Sequence, residues 1–323
     1  MFLIKKMGWL ILELVLFTVI FIALIGIQHY LMKAFGISNG IWNTENINES
    51  SSPFLLIPSF LPVLIAFSGA SVLAYYIIMK HPFSDLGLIK YNALKLFGKG
   101  LVFSVILIVP GFLIMWVTGQ IQLTQPDLNI PFFMGFFLFF FIQSTAEEVF
   151  TRSYLIPTFE GKLGSGVAII ISASLFGILH AGNDNFTWIG FINILLGGLV
   201  MALLFIYYRN IWICAGFHTG WNFVQASFFD FNVSGVDVYS LIQFKDVGYA
   251  NITGSGFGYE GSLISILALG IALIFMFKKM NFEFKPMVWQ QPVMYEQSEN
   301  NYTGDSNYLS ENEANSKPDL NSI

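Results

Sequence analysis

Residues 131–152 read PFFMGFFLFFFIQSTAEEVFTR. A run dominated by phenylalanine passes without a break into the glutamates Glu147 and Glu148 and Arg152. About 20 mostly apolar residues suffice to cross a bilayer as a helix. Ionisable groups in such a segment are costly in lipid and mark function by default. This one stretch therefore points to a membrane helix that carries a polar site.

The rest of the chain has the same character. Of 323 residues 55% are hydrophobic and only 11% are charged, against roughly 25% charged in soluble domains. Mean hydropathy is +0.67. These values exclude a soluble globular enzyme, a disulfide-framed secreted domain and an ordinary nucleic-acid binder. The net charge of -5 says little about partners, because much of the acid sits in the last 40 or so residues. Cys214 is the single cysteine and lies in an apolar run, so no intrachain disulfide forms.

Apolar runs occur near 8–32, 54–79, 96–118, 132–152, 164–182, 187–208, 211–229 and 261–277. The first is too long, and too poor in a small-residue cleavage site, for a removable signal peptide. The expected fold is an all-α polytopic membrane protein, a bundle of about eight transmembrane helices. Basic residues collect in the cytoplasmic loops of membrane proteins. On an eight-span ladder, 13 of the 15 Lys and Arg residues fall on one side, and only Lys33 and Lys245 on the other. Both termini are accordingly predicted cytoplasmic. The expected organisation is helices one to three over 1–130, a core of helices four to seven over 131–229, an exterior loop and helix eight over 230–279, and a disordered cytoplasmic tail over 280–323. That tail is rich in Asn, Ser, Glu and Gln and cannot bury enough apolar surface to fold alone. Short loops and the lack of a targeting signal point to a bacterial plasma membrane. No P-loop, dinucleotide fingerprint, zinc-type cysteine pattern or basic stripe for nucleic acid is present.

Some polar residues have bland readings. Glu13 can snorkel to the cytoplasmic interface, and His29 and His81 sit near span ends. The second half of the chain differs. Span four ends in Glu147, Glu148 and Arg152; span five carries Phe176 and His180; span seven carries His218 and Asn222. Residues four apart share a helix face, so Glu148 and Arg152 can pair while Glu147, turned about 100° away, lacks that partner. Arg152 then holds one of two adjacent carboxylates charged, leaving Glu147 free to exchange a proton. His218 and Asn222 offer two donors toward one point, as an oxyanion site requires. Phe176, four residues before His180, can wall that imidazole and is the candidate substrate-binding residue. No serine or cysteine sits beside a base, so the fitting chemistry is water activation: Glu147 takes a proton from a water oriented by His180, and that water attacks a peptide carbonyl. Two other classes use the same residue types. One is a non-catalytic binding or bacteriocin-immunity protein; the other is a proton-coupled transporter, although repeated halves are absent.

The ordered triple Glu147-Glu148-Val149-Phe150-Thr151-Arg152, Phe176 to His180, and His218 to Asn222 resembles the CAAX protease and bacteriocin-processing family of intramembrane endopeptidases, which includes the Rce1-type prenyl proteases. The resemblance covers about 131–227 and makes 131–229 an Rce1-like protease core. It implies an eight-helix bundle with a cavity open to cytoplasm and membrane. It also implies Glu147 as water-activating base, Glu148 with Arg152 as its support, His180 as water positioner, and His218 with Asn222 as oxyanion donors. The substrates it implies are membrane-associated peptides or proteins, including prenylated CAAX types; the bilayer is the other partner, and nucleic acid is not one. No cofactor is favoured, since a liganded His218 could not donate to substrate. Zinc held by Glu147, His180 and His218 is the alternative. One difficulty attends a simple ladder: if span four ends at Arg152, Glu147 lies near the cytoplasmic end, whereas His180 lies about 20 Å along span five. For the two to meet, span four must run on or span five must tilt or break.

Overall fold

A computed structural model describes residues 52–76, 80 and 83–279, with helical positions at 8, 11–12, 14–15, 17–24 and 26. Glu13, His29, His81, most of the loop after the first run and the tail 280–323 lie outside the described residues, as do both termini. The eight-span count and the sides of the termini are therefore not read from the structure.

Each of the other apolar runs corresponds to a helix: α1 (Pro53–Ala74), α2 (Ala93–Val117), α3 (Ile130–Glu148), α5 (Ser165–Leu179), α6 (Trp188–Tyr208), α7 (Ile211–Phe223) and α8 (Leu263–Lys279), with α4 (Leu155–Leu163) following α3. Among the described residues three helical stretches are long and apolar enough to cross a membrane: Ala93–Val117, Ile130–Leu163 and Trp188–Tyr208. Their outward faces are apolar too. Leu94, Val117, Leu138, Ile170, Leu267, Ile271 and Phe275 are all exposed, as side chains meeting lipid rather than water would be. The chain is an integral membrane protein.

Local sequence sets the ends of these helices. Asn129 caps α3 by accepting from Phe132 N at 3.2 Å, next to Pro131 in the first turn. Thr187 caps α6 through Gly190 N, and Asn210 caps α7 through Trp212 N. Each supplies the side-chain acceptor that a free helix N-terminus needs. Gly164, at φ +87°, reverses the chain between α4 and α5 in a conformation other residues avoid.

Span four is longer than the sequence reading of 132–152. The helix does not stop at Arg152; it passes through a π-helical turn, Val149–Tyr154, into α4 and ends at Leu163. Glu147 thus lies 16 residues before Leu163, and His180 lies 15 residues after Ser165. At 1.5 Å per residue the two stand at similar depth on antiparallel neighbours. This lengthening removes the difficulty of the simple ladder. Ser172 of α5 donates to Thr151 O within this turn at 2.6 Å, which ties the two helices together.

Helices α2 and α7 approach most closely through glycine. A Cβ on Gly216 would stand 2.0 Å from Phe97 O, and one on Gly100 would stand 2.2 Å from Ile213 O. Small residues at such a crossing let two backbones pack directly, which is how membrane helices associate without a hydrophobic drive. The all-α expectation needs one small amendment. Strands β1 (Ile121–Leu123) and β2 (Phe244–Asp246) pair antiparallel between two loops. The segment 230–262 is anchored at several points. Tyr239 donates to Asp127 O at 2.6 Å and accepts from Asn129 N at 2.7 Å. Tyr259 donates to Leu107 O at 3.0 Å, and burial pushes its phenol well up, so it stays a donor.

Candidate active site

Four helical segments bring the motif residues together. Glu147 and Glu148 end α3, Arg152 lies in the π-turn, His180 caps the C-terminus of α5, and His218 and Asn222 lie on α7. The pairing of Glu148 with Arg152 that helical spacing allows is present. Arg152 Nε stands 3.0 Å from Glu148 Oε2, and both side chains are fully buried. The guanidinium also donates from Nη1 to Ser172 Oγ at 3.3 Å and lies 4.9 Å from the Phe176 ring centre. A buried ion pair of this kind survives only with additional partners, and here Ser172 and Phe176 serve.

Glu147 faces the other way. Its Oε2 is buried and has no hydrogen-bond partner among the described residues. It stands 3.9 Å from His180 Nε2 and 3.8 Å from His218 Nε2. The opposite nitrogens are engaged. His180 Nδ1 donates to Phe176 O at 2.8 Å, and His218 Nδ1 donates to Glu148 Oε1 at 2.9 Å. Both imidazoles therefore present Nε2 to one carboxylate oxygen. Phe176 fixes both rings, stacking obliquely on His180 with centres 4.6 Å apart and meeting His218 edge-on at 5.5 Å.

Asn222 also has a partner inside the protein. Its Nδ2 donates to Gln143 Oε1 at 3.1 Å, so at least one of its two hydrogens is spent inside the protein. Gln143 Nε2 in turn donates to Glu147 Oε1. The direction of this chain follows from chemistry: a carboxylate only accepts, so the amide nitrogen of Gln143 faces it and its oxygen faces Asn222. Gln143 was not singled out from sequence. Its position one turn before Glu147, on the same face, was the available signal.

The site opens into a cavity of about 480 Å³. Phe21, Leu56, Leu64, Phe67, Phe139 and Phe140 give it an apolar wall, while Gln143, Glu147, His180, His218, Asn222, Asn193 and Glu260 give it polar groups. Glu260 is buried and takes four neutral donors: Trp221 Nε1, Gln225 Nε2, and the Ser234 amide and hydroxyl.

For zinc, two imidazoles and a carboxylate are suitable ligand types, set here somewhat wider than a bound ion holds them. Zinc ligands at about 2.0 Å in a tetrahedron stand about 3.3 Å apart, closer than the two Nε2–Oε2 separations here. Among the described residues no group of three His, Cys, Asp or Glu side chains is arranged to hold a metal.

Fold and site together define a membrane helix bundle with a buried carboxylate–imidazole centre beside a cavity. The comparison with known families agrees: residues 129–224 match the family model described as Type II CAAX prenyl endopeptidase Rce1-like. That match contains all three motifs and spans under a third of the chain. No curated protein matches the chain.

Proposed function

We propose that the protein is an intramembrane endopeptidase that hydrolyses peptide bonds of membrane-associated substrates by glutamate-activated water, without a metal. The observation that carries this reading is the buried Oε2 of Glu147, without a hydrogen-bond partner among the described residues, facing two Nε2 atoms at 3.8 and 3.9 Å. A water there gives one O–H to Glu147 and the other to His180 Nε2, which is the free acceptor because Nδ1 holds the proton for Phe176 O. Its lone pair then points away from both, toward a bound carbonyl.

Glu147 takes the water's proton as the hydroxide adds to the scissile carbonyl. His218 in its doubly protonated form donates Nδ1–H to Glu148 and Nε2–H to the oxyanion. The second Nδ2 hydrogen of Asn222 is the other oxyanion donor. Charge favours this arrangement: Glu147, Glu148, Arg152 and an imidazolium sum to zero in a low-dielectric site. As the tetrahedral species collapses, the C–N bond breaks and Glu147 passes its proton to the leaving amine. Products are a carboxylic acid and an amine, and the acid's proton passes to the amine to give carboxylate and ammonium.

The apolar cavity wall supports a lipid-bearing or strongly hydrophobic substrate, with prenylated CAAX peptides as the class the family description names. A bacterial plasma membrane remains the proposed location. The test is cleavage of prenylated and plain membrane-associated peptides by detergent-purified protein, wild type beside Glu147→Ala. Cleavage lost in the variant supports the endopeptidase. A cellular phenotype that survives Glu147→Ala would instead mark a non-catalytic binding protein.

A further inference from the structure

Two residues lining the cavity carry a buried side-chain polar atom without a partner among the described residues: Glu147, through Oε2, and Asn193, through Nδ2. The first is the acceptor already assigned to water. The second is a donor, and the reaction leaves it unused.

Asn193 lies on α6 and is 1% exposed. Ile194, Gly197 and Met201 of the same helix also line the cavity, so Asn193 is the polar member of an otherwise apolar face. Its Oδ1 accepts from Ser265 Oγ of α8 at 3.1 Å. That bond ties two helices together, as polar residues in bundles do, and it accounts for the oxygen. It also sets the amide plane and leaves the NH2 without an acceptor among the described residues. A buried donor without an acceptor, on a residue that lines a cavity, calls for one.

The chemistry of that acceptor is constrained by Glu260, five residues before Ser265 in the chain, which lines the same cavity and whose partners among the described residues are all neutral. Negative charge in a low-dielectric pocket disfavours a second anion. The partner of Asn193 is thus an uncharged acceptor rather than a carboxylate. In a cavity that presents a peptide bond to Glu147, the acceptor always available, whatever the side chains, is a backbone carbonyl.

We infer that Asn193 is a substrate-binding residue whose Nδ2 donates to a non-scissile backbone carbonyl of the bound peptide, fixing its register against Glu147. This rests on the endopeptidase reading.

The test uses the full chain in detergent and a farnesylated CAAX-type peptide. A series of peptides replaces one backbone carbonyl at a time by a thioamide, a weaker acceptor. At one position away from the scissile bond, wild type is expected to show KM raised roughly tenfold, the size of one net hydrogen bond, with kcat within about twofold. Asn193→Asp keeps an acceptor for Ser265 and removes the donor. It is expected to raise KM for the all-oxygen peptide and to abolish the thioamide effect at that position. The inference is overturned if wild type cleaves every thioamide peptide with unchanged KM. It is equally overturned if Asn193→Asp retains the wild-type KM and the same thioamide sensitivity. The wild-type series stands even if the variant fails to fold. Peptide binding to Glu147→Gln separates the two claims. Binding with thioamide sensitivity, but no cleavage by wild type, would sink the hydrolase and keep the subsite. Cleavage without thioamide sensitivity would do the reverse.

Discussion

His218 Nδ1 stands 2.9 Å from Glu148 Oε1, and this bond decides what the other side of the ring can do. It turns Nε2 toward Glu147 and places His218 between two carboxylates, one paired with Arg152 and one hydrogen-bonded to Gln143. The motif glutamates thereby become two different groups: Glu148 is held between Arg152 and His218, and Glu147, which faces two Nε2 atoms, is the one the proposed mechanism uses to exchange a proton.

Replacing each glutamate by glutamine separates those roles. Glu148→Gln leaves the fully buried Arg152 without its counter-charge, a loss of about 3–5 kcal/mol where buried pairs are broken. Thermal unfolding in detergent is expected to fall sharply. Glu147→Gln keeps the shape and an acceptor for Gln143, so its unfolding midpoint should stay within a few degrees while cleavage is lost. Equal destabilisation of both variants would contradict the division.

Gln143 holds Glu147 in place through Nε2, with Asn222 behind it. Gln143→Met preserves volume and removes the donor. Freed from that bond, Glu147 can leave its place opposite the histidines, and small misplacements of a reacting group cost up to about 100-fold. Steady-state kinetics should show kcat down roughly 10–100-fold with KM little changed. A change in KM alone would make Gln143 a substrate contact instead.

The α2–α7 crossing allows no side chain at Gly216, where a Cβ would meet the Phe97 backbone. Gly216→Ala must push the helices apart, at a cost of about 1–3 kcal/mol for overpacking. Because α7 also carries His218 and Asn222, both the unfolding midpoint and kcat should fall. Arg209→Lys is the contrasting control. The Arg209–Glu160 fork joins α6 to α4 with Arg209 partly exposed, so losing its bidentate geometry should cost at most about 1 kcal/mol and leave the rate of cleavage unchanged.

Metal removal tests the mechanism type. With Nε2–Oε2 separations of 3.8 and 3.9 Å, activity is expected to persist after dialysis against a strong zinc chelator. A loss restored by added zinc would make Glu147, His180 and His218 ligands instead.

Much of the site was legible because the motif residues announce themselves by type. Glu147, His180 and His218 are far apart in sequence, yet each is an ionisable residue that lipid would not tolerate without purpose. The pairing of Glu148 with Arg152 followed from helix periodicity alone. Other features had no such signal. The π-turn after Glu148 occupies VFTRSY, residues 149–154, which nothing in hydropathy distinguishes from ordinary helix; hence the shortened span four. Gln143 and Asn193 resemble the amides that merely tie membrane helices together. Asn222 shares a face with His218, as its spacing implies, but its hydrogen bond to Gln143 depends on how α3 crosses α7, a tertiary fact. Glu260 sits in a loop whose sequence gives no reason to expect four donors converging on it.

The most direct test of Glu147 as the water-activating base is peptide cleavage in H2¹⁸O, with products read by mass spectrometry for wild type and Glu147→Gln at equal folded concentration. The expected result is one ¹⁸O in the new carboxylate from wild type and no product above background from the variant. Product formed by Glu147→Gln at the wild-type rate would contradict the assignment.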